Sequence, residues 1–199
     1  MDSGRGIGHA VCGRSSLRKE GRMSGARHEI APEIAALSLE EIAARHTKRF
    51  AAIEPDWDAF ADSRTEGNRR AQHRFIGAGG SGKHADPSVV PAGNFTLSIL
   101  LLPPGQGSGA HTHEVEEVFF VLQGKLTVFL EDAQGRRLDV GLGPWECISC
   151  PAGVVHGFVN EGTEPAYFQI MIGKGRPGPI GFADDAVYAT ELARTRAMT

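Results

Sequence analysis

Between Asn94 and Ile172 the sequence is a succession of short apolar runs, each cut by glycine, proline or a polar turn. Few folds tolerate such a pattern. Phe95–Leu102 ends at Pro103-Pro104, and residues 109–113 follow. Glu117–Gln123 meets Lys125–Glu131 across Gly124, and Asp132-Ala-Gln-Gly135 turns the chain back through Arg136–Val140. Trp145–Cys150 leads through Pro151-Ala-Gly153 to Val154–Val159, and Asn160-Glu-Gly162-Thr turns into Ala166–Ile172. Runs of this length are too short for core helices, and their spacing predicts antiparallel strands closing into a barrel or jelly roll. Most of the 26 glycines and 11 prolines serve as this punctuation. The expected fold class is therefore all-β, with one core in a chain of 199 residues.

Within this region lies Gly105-Gln-Gly-Ser-Gly-Ala-His111-Thr-His113-Glu-Val-Glu-Glu117, which runs on to Gly124. On an extended strand side chains alternate, so His111 and His113 share a face and can close on one ion. Pro151-Ala-Gly153-Val-Val-His156 supplies a third imidazole, with Asn160 four residues on. Three imidazoles and a carboxylate suit Fe, Mn, Ni, Cu or Zn and leave coordination positions open. The full spacing, G-x5-H-x-H-x3-E-x6-G followed by P-x-G-x2-H-x3-N, resembles the two motifs of the cupins, small β-barrels in which they supply metal ligands. The resemblance covers about residues 95–172. It implies a cupin-type barrel and the ligand set His111, His113, Glu117 and His156. Glu114 and Glu116 compete with Glu117, which the distance to Gly124 and strand parity favour. Gly153 and Asn160 are expected to shape turns. One departure stands out: the second motif usually opens with Gly-Asp, and here Trp145-Glu146 fills those positions.

The flanks read differently. Residues 1–29 are expected to be a disordered extension. Lys19-Glu20-Gly21 can be encoded by a purine-rich stretch resembling a ribosome-binding site, which would put the start at Met23. Residues 30–75 are expected to form a helical arm: Ser38-Leu-Glu-Glu41 is a capping-box pattern opening a helix over about 39–52, ended by Pro55. Asp56–Phe60 reads as a further helical turn. Residues 76–175 would be the barrel and 176–199 a tail with a weak helix near Asp184–Arg194. Gly77-Ala-Gly-Gly-Ser-Gly82-Lys83 approaches a phosphate-binding loop, but His84 replaces the hydroxyl residue and Pro87 and Pro91 forbid the helix behind it. It is read as a mobile glycine loop.

Composition narrows the function. A formal charge of −3 and the absence of a basic cluster argue against nucleic-acid and anionic-membrane partners. No apolar run reaches the length of a membrane span. Three cysteines (Cys12, Cys147, Cys150) make no disulfide framework and fit a cytoplasmic location. Cys147 and Cys150, three apart on a strand, face opposite ways and are not read as a metal or redox pair. By alternation Phe119, Val121, Phe158, Gln169 and Met171 are expected to line the interior as substrate contacts. An intact ligand set argues against a purely structural role. Among the activities the cupin resemblance implies, the leading reading is a metal-dependent dioxygenase, with Fe(II) favoured over Mn, Ni, Zn or Cu, acting on a small aromatic or dicarbonyl substrate. The alternatives are a non-catalytic module that binds metal and small ligand for sensing or storage, and an isomerase. An apolar N-terminal arm and open sheet edges predict a homodimer.

Overall fold

The structure, a computed structural model, describes residues 28–198. The chain divides into two units, 1–37 and 38–199. In the first, Pro32–Ala35 (α1) is a single helical turn that buries none of its side chains. The readings made for residues 1–27, including a start at Met23, lie outside the described residues.

The second unit opens on α2, Leu39–His46. Its capping box is complete: Ser38 Oγ accepts from Glu41 N at 3.1 Å and Ser38 N donates to Glu41 Oε2 at 2.8 Å. The helix stops at His46, where Thr47 turns extended, well before Pro55. Only Phe50–Ala52, as a short 3-10 turn, continues the helical tendency. Asp56–Phe60 forms no helix, only a turn at Trp57 and Asp58, and Asp56 itself is tied to the first strand. It exchanges two main-chain hydrogen bonds with Gln72, both at 3.0 Å.

Ten strands follow: β1 Ala71–Ile76, β2 Thr96–Leu102, β3 His111–Thr112, β4 Glu117–Gln123, β5 Leu126–Glu131, β6 Arg137–Leu142, β7 Cys147–Cys150, β8 Val155–Val159, β9 Ala166–Ile172 and β10 Gly181–Phe182. They pair antiparallel into two five-stranded sheets, β1-β2-β9-β4-β7 and β10-β3-β8-β5-β6. The chain is therefore all-β with jelly-roll pairing, as the punctuated sequence predicts. Strands β1 and β10 are additions to that reading, which began the strands at Asn94. Helix α3, Asp185–Met198, ends the described chain.

Strict alternation explains which faces meet. Buried and half-buried residues alternate along β2, β4 and β9, so each strand turns every second side chain inward. Leu100, Leu102, Phe119, Val121, Val128, Phe158, Phe168 and Ile172 form the centre of the core. Phe119, Phe158 and Phe168 meet edge to face with centroids 5.0–5.8 Å apart, the arrangement the ring quadrupole prefers. Two turns show why the motif positions are what they are. Gly124, between β4 and β5, has φ +80°, and a Cβ there would stand 2.8 Å from Ala166 Cα. Asn160, fully buried, donates from Nδ2 to the carbonyls of Leu102 and Glu164 and accepts from Gly162 N, stitching the turn before β9.

Candidate metal centre

His111 and His156 stand directly opposite each other on β3 and β8. His113 follows two residues after His111. The chain then crosses to the other sheet, where Glu117 opens β4 between β7 and β9. The parity argument for Glu117 was thus not the operative one, because the two histidines and the carboxylate sit in different sheets. They converge because both sheets turn the same faces inward. All four are buried, with 1–5% of each residue exposed. One ligand atom of each lies within 4.8 Å of all the others.

Two main-chain carbonyls orient the rings. His111 Nδ1 donates to Gly109 O and His156 Nδ1 to Val154 O, each at 2.8 Å. A carbonyl only accepts, so the proton of each ring sits on Nδ1 and the Nε2 lone pair faces the centre. There Glu117 Oε2 lies 2.9 Å from His156 Nε2, 3.5 Å from His113 Nε2 and 3.6 Å from His111 Nε2. Lone pairs converging on a carboxylate need a positive charge between them, either a proton or a cation. Metal–ligand bonds of about 2.0–2.2 Å put neighbouring donors roughly 3 Å apart, so the set fits a small divalent ion.

The electrostatics agree. Burial pushes the His113 imidazolium down to about 4, against the pull of Glu117. Burial alone would raise the Glu117 carboxyl, but the three imidazoles, His113 first, hold it well below the usual carboxylate range. Burial also disfavours charge on His156, yet the Glu117 contact outweighs it and raises that ring. A proton bridging Glu117 and His156 is what a cation would displace. The competing carboxylates are engaged elsewhere. Exposed Glu114 accepts from Lys174 Nζ and Gly178 N, both at 2.8 Å, and exposed Glu116 accepts from Ser149.

A small cavity adjoins His111, His113 and Glu117, with room of about 20 Å³, close to one water. Phe158, one of the expected contacts, lines it. Phe119 packs edge-on against His156, and Val121 lies two residues deeper in the core. Gln169 and Met171 are a correction. In β9 the inward parity belongs to Ala166, Phe168, Ile170 and Ile172, so Gln169 and Met171 take the opposite face and Ile170 reaches the cavity instead. Both parities of this strand carry apolar residues, which hid the choice. Arg70, Gln72 and Ser98, all buried, line the same cavity and escaped the sequence reading. Arg70 and Gln72 fall in the stretch read as a helical arm, and Ser98 lies within an apolar strand, so none carried a signal of its own.

Other expectations resolve simply. Cys147 is exposed and Cys150 buried, facing opposite ways as their spacing predicts. Burial, reinforced by Glu117, pushes the Cys150 thiol up to about 12. The glycine stretch after β1 is not an open loop: Gly79–Ser81 forms a 3-10 turn in which Gly79 and Ser81 are buried. Among the described residues, no helix is long and apolar enough to cross a membrane.

Comparison with known proteins bears on the fold. Residues 98–173 match the Cupin domain family. The polyketide cyclase RemF from Streptomyces resistomycificus is 22% identical, with TM-score 0.53, 76% of this chain and 96% of that one covered. Peruvianin-I, a cysteine peptidase from Thevetia peruviana latex, is 15% identical, with TM-score 0.53 and coverage of 82% and 91%. A Lactobacillus farciminis oxalate decarboxylase in a formate complex is 17% identical with TM-score 0.49; 66% of this chain is covered but only 33% of that one. No curated protein matches the sequence. At these identities the likeness is one of fold.

Proposed function

We propose, from the buried centre of the region that matches the Cupin domain family at residues 98–173, a metal-dependent enzyme, a dioxygenase working on a small organic substrate. The observation that carries it is the convergence of three Nε2 atoms and one carboxylate beside a cavity. Packing requires no such set, since apolar residues would fill the space at lower cost. A bound Fe(II) would supply Lewis acidity and redox chemistry. The chain's own residues fix the tautomer of His111 and His156 through Gly109 O and Val154 O, hold Glu117 ionised and exclude bulk water. With about 20 Å³ free, the cavity as it stands holds about one water, so a substrate must displace its lining to enter, which a small acid or dicarbonyl does with less movement than an aromatic ring.

The same narrowness supports a second reading, a module that binds metal and a small ligand without turnover. Oxygen uptake separates the two. Fe(II)-loaded protein tested against small keto and hydroxy acids, β-dicarbonyls and catechols should consume oxygen with at least one of them. Full iron occupancy with no uptake from any would leave the binding module.

The centre itself is tested by elemental analysis. His111→Ala, His113→Ala and His156→Ala should each lower metal occupancy at least tenfold, because no neighbouring donor can replace the lost one. Glu117→Gln should also weaken it. Glu114→Gln and Glu116→Gln should bind as the parent does. A triple histidine variant that keeps one equivalent of metal would move the site elsewhere.

A further inference from the structure

Among the described residues, two buried side-chain polar atoms have no hydrogen-bond partner: Arg70 Nε and Gln72 Oε1. They belong to residues two apart in sequence, 3% and 1% exposed, and both residues line the cavity beside His111, His113 and Glu117. Such orphans are rare in folded proteins, because an unpaired buried donor or acceptor is costly.

Everything else on these side chains is fixed. Arg70 Nη2 pairs with Asp62 Oδ1 at 2.8 Å, and Nη1 donates to the carbonyls of Asn68 and Gly107 at 2.9 and 3.2 Å. The guanidinium lies over the Phe60 ring, 4.3 Å from its centroid. Gln72 Nε2 faces Ala78 O at 3.3 Å and Ser98 Oγ at 3.4 Å. A carbonyl only accepts, so the amide cannot flip, and Oε1 is the atom left over. Gly79 makes room for this arrangement: with φ +59°, a Cβ there would stand 2.6 Å from Gln72 Nε2. The orphans are thus held in place with their neighbours already satisfied.

Asp62 neutralises Arg70 within the protein. A divalent ion with three neutral imidazoles and Glu117 would carry one net positive charge. The cavity would then match a monoanion that offers an acceptor to Arg70 Nε–H and a donor to Gln72 Oε1. We propose that Arg70 and Gln72 are the specificity wall of the site and select a small carboxylate bearing an adjacent hydroxyl, the acid oxygen on Arg70 Nε and the hydroxyl proton on Gln72 Oε1. This assignment rests on the metal centre proposed above. Phe60 and Ile180 also line the cavity, whose room for about one water must widen to take the anion and so limits it to a few atoms.

The test uses the full chain loaded with Co(II), whose visible spectrum reports new ligands, together with calorimetric titration of glycolate and acetate. Glycolate should bind about tenfold tighter than acetate, the discrimination expected of one hydrogen bond to a desolvated group. Gln72→Met should remove that preference and leave acetate unchanged. Arg70→Lys keeps a positive charge beside Asp62 but loses Nε, and should weaken both anions about tenfold at unchanged cobalt content. If Arg70→Lys fails to fold, Gln72→Met decides alone. A parent protein that holds cobalt yet binds the two anions equally, or neither at millimolar concentration, overturns the wall and leaves the metal centre standing. So does a Gln72→Met variant that keeps the preference. A chain that takes up no cobalt overturns the metal centre instead.

Discussion

The protonation of the four central residues sets how the protein responds to acid. His113 titrates at about 4 in the folded chain against 6.5 for a free imidazole. Between those values the unfolded chain binds a proton that the folded chain does not, so folding stability rises with pH across the window. The contribution is present in full above pH 6.5 and is lost as pH falls towards 4, up to roughly 3 kcal/mol. The lowered Glu117 adds a further loss once pH drops below the unfolded carboxyl value of 4.5. His156, raised by Glu117, works oppositely: its contribution is held below the unfolded value and lost as pH rises through the raised one. Urea unfolding of metal-stripped protein should therefore show a lower midpoint at pH 4.5 than at pH 6.5, and His113→Gln should flatten most of that slope. An unchanged slope in the variant would place the titration elsewhere. At this scale the candidate ligands were legible in the sequence because imidazoles and carboxylates at motif spacing carry their chemistry in their identity. The second layer was not. Arg70 and Gln72 are informative only through what they fail to bond, which no one-dimensional pattern records.

Turns and strands divide the same way. Strands β4 and β9 begin and end where the apolar alternation says, at Glu117–Gln123 and Ala166–Ile172, since one buried face forces period two. Strand β1 was missed because Gln72 is buried towards the cavity and His73, also buried, takes the opposite face against Phe50, so neither face shows a hydrophobic period. The turn before β7 holds a second discrepancy. Glu146 N returns to Gly143 O at 3.2 Å, leaving Pro144 and Trp145 as the central pair. Trp145 has φ +72°, the single left-handed non-glycine among the described residues, at the position where the motif usually has glycine. The bend survives the substitution at the cost of strain, about 1–2 kcal/mol for an L-residue, partly offset by the ring's edge contact with Phe120 at 6.2 Å. Trp145→Gly should therefore leave stability unchanged or raise it by up to about 1 kcal/mol. Gly124→Ala should cost more than about 2 kcal/mol, because it adds both left-handed strain and a clash with Ala166. Thermal unfolding of the two variants checks the asymmetry, and equal effects would refute it.

For the whole molecule, the expected homodimer has local support in what the sheets leave open. Edge strand β6 is exposed along most of its length, with Leu138 64% exposed, and Trp145 is 76% exposed. Unpaired edges and large apolar side chains of this kind are ordinarily covered. Light scattering at micromolar concentration should give twice the 21.2 kDa of one chain. A single-chain mass would leave those residues as plain surface.

The placement of the candidate ligands His111, His156 and Glu117 on opposing sheets has a consequence for time as well as affinity. His111 and His156 belong to one sheet and Glu117 to the other, so an ion held by all three is a rivet through the core. The apolar interior keeps the fold without it, and circular dichroism should change little on chelation. Opening the sheets must break coordination first, however, and that lengthens the wait between openings. Amide hydrogen exchange in β3, β4 and β8 should slow markedly on metal loading, while exchange along exposed β6 should not. Uniform protection, or none, would mean that the ion spans no seam.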